Sequence, residues 1–272
     1  MPHDVLKRNH VQVFGAGQQP LVFAHGFGCD QRIWRLVTPA FAEQYRLVLF
    51  DYVGCGQSDL EAFTLERYDS LHGYAQDVLD ICAALDLRQA IFVGHSISGP
   101  IGALAAIRAP ERFERLIMIG SSARYVNDPP AYIGGFEHAE IMGMLDLMEK
   151  NYYGWANFLA PLAMQNADRP DLAHDLEQSF RSLNPTIARE FARVTFLADV
   201  RHDLPQVRVP ALLIQSAEDL IVPSDAAEYL HRHLPGSTAR LIQAVGHYPH
   251  VSHADETIQL IQEYLAAPAD AG

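Results

Sequence analysis

Short apolar runs rich in valine, isoleucine, leucine and phenylalanine return along this chain, separated by segments of helical periodicity. That alternation is the strongest constraint on the fold, because it is the pattern of a mostly parallel sheet covered by helices on both faces. Strands are expected at residues 10–14, 21–24, 46–51, 90–94, 116–120, 211–215 and 239–243. Between them, Leu71, Tyr74, Ala75, Val78, Ile81, Cys82 and Leu85 fall on one face of a helix spanning 70–87. Ile258, Ile261 and Leu265 repeat the pattern in a terminal helix over 255–266.

Residues 124–200 break the alternation. They hold aromatic-rich helical stretches interrupted by Pro129–Pro130, Gly134–Gly135, Pro161, Pro170 and Pro185, with no strand-like run. A helical insert between two strands of a parallel sheet reads as a lid over the carboxyl edge, where open α/β sheets bind ligands. The expected organisation is a core of residues 1–123 and 201–272 with a helical lid at 124–200.

The segment QAIFVGHSISGPIGALAAI joins a buried strand to a helix through a tight turn centred on Ser96. Such a turn lifts a serine hydroxyl above the sheet, provided that small neighbours let strand and helix approach. Gly94 and Ser98 occupy the flanking positions, so serine replaces the second glycine of the G-x-S-x-G pattern. A Ser–Gly turn by itself is most often only a turn. The strand before it and the helix after it make Ser96 a candidate nucleophile.

Serine needs a general base, and the base needs a carboxylate to orient it. In chains with this elbow the order is serine, acid, histidine. Glu218 and Asp219 follow one late strand, and His247 follows the last. Asp219 is assigned over Glu218 because the spacing Q-S-x-x-D-x-x-V-P fits better. Backbone amides of Ile97 and of Phe27, in the loop HGFG after an early strand, are the expected oxyanion donors.

His247, His250 and His253 lie within seven residues, but Pro249 interrupts any helix there and the spacing is not a zinc pattern. No metal or cofactor is expected. His25 and His95 read as packed near the site. From the lid, Tyr125, Phe136, Trp155, Phe158 and Phe196, together with His95, are expected to wall an apolar substrate pocket.

Hydrophobic residues make up 49% of the 272, and the formal net charge is −13. An acidic chain without a basic stripe is not expected to bind nucleic acid or an anionic membrane. The amino terminus lacks a signal-peptide core, no run has the length of a membrane span, and three cysteines make no disulfide framework. A cytoplasmic protein is expected.

The segments HGFGCDQRIW, FDYVGCGQSDL, GYAQDVLDICAALDL, GHSISG, QSAEDLIVP and GHYPHVS together resemble the α/β-hydrolases of the RsbQ type and the plant karrikin and strigolactone receptors. The resemblance covers about residues 5–123 and 201–265 and loosens in the lid. It implies an α/β-hydrolase fold with an eight-stranded, mostly parallel sheet, a four-helix lid and a Ser96–His247–Asp219 triad. It also supports Phe27 and Ile97 as oxyanion donors and lid aromatics as pocket walls. The implied activity is hydrolysis of small apolar esters or lactones. Some relatives use that hydrolysis to signal to a protein partner, such as a phosphatase or a sensor protein.

Overall fold

The computed structural model describes residues 4–267; the outermost residues of the expected core, 1–3 and 268–272, lie outside them. Seven strands form one sheet: β1 (Gln12–Phe14), β2 (Pro20–Ala24), β3 (Arg46–Phe50), β4 (Ala90–His95), β5 (Phe113–Ile119), β6 (Ala211–Glu218) and β7 (Ser237–Val245). Their order is β1-β3-β2-β4-β5-β6-β7, with β1 antiparallel to β3 and every other pair parallel. The chain leaves β2 for β3 on one side and returns to β4 on the other. This reversal opens a crevice at the carboxyl ends of β2 and β4.

The expected eight strands are seven among the described residues. The chain ahead of β1 forms a short helix, α1 (Val5–Arg8), capped by the Asp4 carboxylate accepting from the Leu6 amide. The run expected as a strand from residue 10 starts only at Gln12, because His10 sits in the left-handed region at φ 43°.

Side chains alternate across the sheet as its period of two requires. Leu21, Phe23, Leu47, Ile91, Val93, Ile117 and Leu212 join one core cluster with Trp34 and Ile261. Val22, Ala24, Val48, Phe50, Phe92, Leu116 and Met118 join the other, larger cluster. Both faces are covered, which is why these strands read as continuous apolar runs.

Helices α2 (Leu71–Ala84) and α3 (Ser98–Arg108) contribute to the larger cluster. Between β5 and β6 lie α4 (His138–Lys150), α5 (Tyr152–Met164), α6 (Pro170–Arg181) and α7 (Pro185–Leu197). A bridge between Arg124 and Asp199, reinforced by an ion pair at 2.9 Å, ties the two ends of this helical segment together. Helix α8 (Ser224–His233) follows β6, and α9 (Pro249–Ser252) and α10 (Ala254–Ala266) follow β7.

A buried ion cluster holds α1 to α2. Asp77 is fully buried and meets Arg8 at 2.9 Å, Arg67 at 2.5 Å, the Tyr68 hydroxyl at 2.9 Å and the Asn9 amide at 3.2 Å. Removing Asp77 leaves the Arg8 and Arg67 guanidinium groups sharing the single carboxylate of Asp80, at 3.1 and 2.9 Å, and strands the buried partners of Asp77. Asp77→Ala is therefore expected to lower stability by about 3–5 kcal/mol, read as a drop in the urea midpoint. A shift below about 1 kcal/mol would show that the cluster is solvated and unimportant.

Candidate active site

Ser96 follows β4 directly and is one of six non-glycine residues with positive φ among the described residues, at 57°. Its amide donates to Ile119 O of β5 at 2.8 Å, and its carbonyl accepts from the Ser121 hydroxyl at 2.8 Å and the Gly99 amide at 3.1 Å. A strained residue persists where its surroundings over-determine it. Gly94 is required because a Cβ there would lie 2.7 Å from the Ser98 backbone. Ser98, which stands where the elbow pattern has glycine, donates its hydroxyl to His25 O at 2.5 Å and meets the Tyr52 hydroxyl at 3.0 Å. The departure from glycine thus ties the loop after β2 to the elbow.

Three groups form one hydrogen-bonded line. Ser96 Oγ lies 2.8 Å from His247 Nε2, and His247 Nδ1 lies 2.8 Å from Asp219 Oδ2. Asp219 Oδ1 accepts from the amides of Ile221 at 2.8 Å and Val222 at 3.1 Å. Burial pushes the Asp219 carboxyl up, yet the charge and hydrogen bond of His247, with those two amides, hold it below the usual carboxylate range. An ionised Asp219 only accepts, which puts the imidazole proton on Nδ1 and leaves Nε2 to accept from Ser96. The Ser96 hydroxyl proton is then committed to His247. The Tyr125 hydroxyl, 3.1 Å from Ser96 Oγ, must be the donor of that contact.

The loop after β2 lies against the elbow. A Cβ on Gly26 would come 3.2 Å from Ser96 Cβ, and Gly28, at φ 79°, leaves room for the Phe180 ring. Neither the Phe27 nor the Ile97 amide meets an acceptor among the described residues. Ile97 also opens the first turn of α3, the positive end of that helix.

A narrow cavity of about 20 Å³ lies beside Ser96 and His247, walled by Phe27, Leu159, Ala163, Phe180, Thr195, Phe196, Ile221 and Tyr248. That is room for about one water molecule. Of the expected pocket residues, Phe196 lines this cavity and Tyr125 touches Ser96. The others do not line it. Phe158 is 62% exposed, because it precedes Leu159 by one position and so points about 100° away around α5. Trp155 is buried one layer back, stacked on Phe180 at 5.1 Å and edge-on to Phe27 at 5.9 Å. Phe136 is half-buried, its ring 6.4 Å from that of Phe196. His95 sits beneath the site, with Nε2 against His247 O at 2.8 Å. Leu159, Ala163, Phe180, Thr195, Ile221 and Tyr248 lie outside the expected pocket set. Phe180 carries a signal as one of the aromatics of the helical segment, and Tyr248 and Ile221 through their nearness in sequence to His247 and Asp219.

The α/β hydrolase fold family matches residues 19–254. The chain belongs to the α/β-hydrolase family. It is 40% identical to a strigolactone esterase of Arabidopsis thaliana over 97% of this chain and 98% of that protein. It is 36% identical to a karrikin insensitive 2 receptor of Petunia hybrida, over 96% and 97%. A solved hydrolase from Oleispira antarctica superposes with a TM-score of 0.95 at 41% identity, covering 97% of each chain. These relatives support hydrolase chemistry. No described helix is long and apolar enough to cross a membrane.

Behind the site lie three buried histidines. Burial holds His25 below the ordinary histidine value despite the neighbouring Asp51. Burial, with His250 and His247 nearby, pushes His95 well below it. Burial beside His247 takes His250 down to about 3. Unfolded, each takes up a proton near pH 6.5, roughly; folded, none does until lower pH. The unfolded state therefore binds more protons below about pH 6.5, and stability falls as pH drops. His95 and His250 are each expected to remove about 1.4 kcal/mol per pH unit in that window, and His25 acts in the same direction. Urea unfolding from pH 7.5 to 5 reads this slope, which should be shallower by about one proton in His250→Phe. A flat profile would contradict it.

Proposed function

We propose that the protein is a serine hydrolase that cleaves small apolar carboxylic esters or lactones through an acyl-enzyme. The observation that carries this reading is the unbroken line Ser96 Oγ–His247 Nε2 and His247 Nδ1–Asp219 Oδ2, both at 2.8 Å, ending on a serine in a strained turn. Ser96 attacks the carbonyl as its proton passes to His247 Nε2. Asp219 keeps Nδ1 protonated and stabilises the imidazolium. The free amides of Phe27 and Ile97 bind the oxyanion, each contributing about 10²–10³ in rate. The imidazolium then protonates the leaving oxygen, and in deacylation His247 takes a proton from water.

The apolar wall and small cavity favour short substrates. Relatives named as a strigolactone esterase and, in Acinetobacter baylyi, as a 3-oxoadipate enol-lactonase at 27% identity support esters and lactones as the substrate class. Three free, buried cysteines accord with a cytoplasmic compartment. Ser96→Ala is expected to lower kcat on p-nitrophenyl acetate by about 10⁶-fold, and Asp219→Asn by about 10⁴-fold. Undiminished turnover by Ser96→Ala would overturn the assignment. Across p-nitrophenyl esters, wild-type kcat/KM is expected to fall from acetate and butyrate to octanoate by at least about tenfold; a rise would exclude a small-substrate site.

A second reading is a ligand sensor that docks to a signalling partner, with hydrolysis as its switch. It is favoured by the receptor names of close relatives and by the contact between the end of α5 and the His247 loop. The His247 amide donates to Ala163 O at 2.8 Å, and Asn166 Nδ2 bridges Met164 O at 2.8 Å and Val245 O at 2.7 Å. Movement of His247 on acylation would therefore load α5. Hydrogen exchange in residues 138–197 of wild type, but not Ser96→Ala, should change during turnover of a slow ester. Unchanged exchange would leave the simple hydrolase.

A further inference from the structure

Among the polar side chains that line the cavity, Ser96 and His247 are engaged with each other, the Tyr248 hydroxyl accepts from Cys29 Sγ at 3.9 Å, and one has no partner among the described residues. Thr195 lines the cavity from α7, is 1% exposed, and its Oγ1 meets no partner among the described residues. A helical threonine ordinarily satisfies its hydroxyl on the carbonyl three or four residues back, here Ala192 or Phe191. Thr195 forgoes both. Buried hydroxyls without a partner are rare, because the group loses its water and gains nothing in return. Valine has the same branched shape without the hydroxyl, so a wall meant only for alkyl groups would be better served by it.

We infer that Thr195 forms a polar subsite in the largely apolar cavity, binding a second oxygen of the substrate besides the scissile ester group. The inference rests on Ser96 being the nucleophile of this same site. A hydroxyl both donates and accepts, so the substrate class is a small ester or lactone bearing a carbonyl or hydroxyl oxygen near the reacting carbonyl. The facing walls, Phe27, Leu159, Phe180, Phe196 and Ile221, hold the carbon skeleton and exclude water from that hydrogen bond. Sites built to hydrogen-bond a substrate oxygen reject the analogue lacking it far better than apolar pockets reject a change in size.

The test compares wild type, Thr195→Val and Thr195→Ser on matched pairs. The pairs are α-hydroxy- against α-methyl-γ-butyrolactone, and methyl 3-oxobutanoate and methyl 3-hydroxybutanoate against methyl pentanoate. Wild type should prefer the oxygen-bearing member of at least one pair by about tenfold or more in kcat/KM. Thr195→Val should lower kcat/KM on that member by about 10- to 100-fold while changing the alkyl member less than about threefold, and Thr195→Ser should keep the preference. Absence of any wild-type preference, a preference that survives in Thr195→Val, or an equal fall on both members would overturn the subsite. Labelling of Ser96 by a small fluorophosphonate separates the two claims. A wild type that neither labels nor turns over any substrate fails both, whereas one that labels and turns over without preference fails only the Thr195 subsite.

Discussion

Everything at the site hangs on one strained turn. Ser96 can hold a positive φ only because β5, α3 and the loop after β2 each grip its neighbourhood, through Ile119, Ser121, Gly99 and Ser98. These elements converge there because β2 and β4 are adjacent across the reversal of strand order. The same adjacency brings the Phe27 loop against the serine. The ends of β6 and β7 then deliver Asp219 and His247 from the far side. The strained turn, the facing amides and the placement of His247 are thus consequences of one sheet topology.

The helical segment between β5 and β6 is more than a cover. Its α5 end holds the His247 backbone, and a Cβ on Gly246 would collide with Met164 O. Its α7 face supplies Thr195 and Phe196 to the cavity. Beneath, His95 and His250 pack neutral against each other, their ring centroids 4.4 Å apart, with Trp34 over His250. The imidazole of His247 is consequently held from above by backbone and from below by rings. A ring held in this way has little freedom to reorient.

The three residues of the hydrogen-bonded line were legible because each follows a strand, and a strand's carboxyl end can only deliver its next residues to one edge of a parallel sheet. The loop glycines around Phe27 were legible for the same reason. The pocket was not. Phe158 and Leu159 are neighbours in sequence and both apolar, yet one faces solvent and the other the cavity, since one helical step turns a side chain by about 100°. Phe180 was one aromatic among many and Thr195 carried no signal, because α6 and α7 reach the site only through the way four helices pack. The strand pattern read from the residues gave seven strands, and the eighth implied by the resemblance has no counterpart among the described residues.

By itself the sequence determined the fold class, the elbow serine and the ordered arrival of Asp219 and His247, all properties of local pattern and chain order. Only the tertiary structure decided which aromatic side chains enclose the site, that Tyr125 donates to Ser96, and that a buried threonine hydroxyl is left without a partner. The physical reason is that periodicity specifies which face of an element is apolar. It does not specify how far that element is rotated or displaced against its neighbours, and side-chain aim over an active site depends on those few degrees and ångströms.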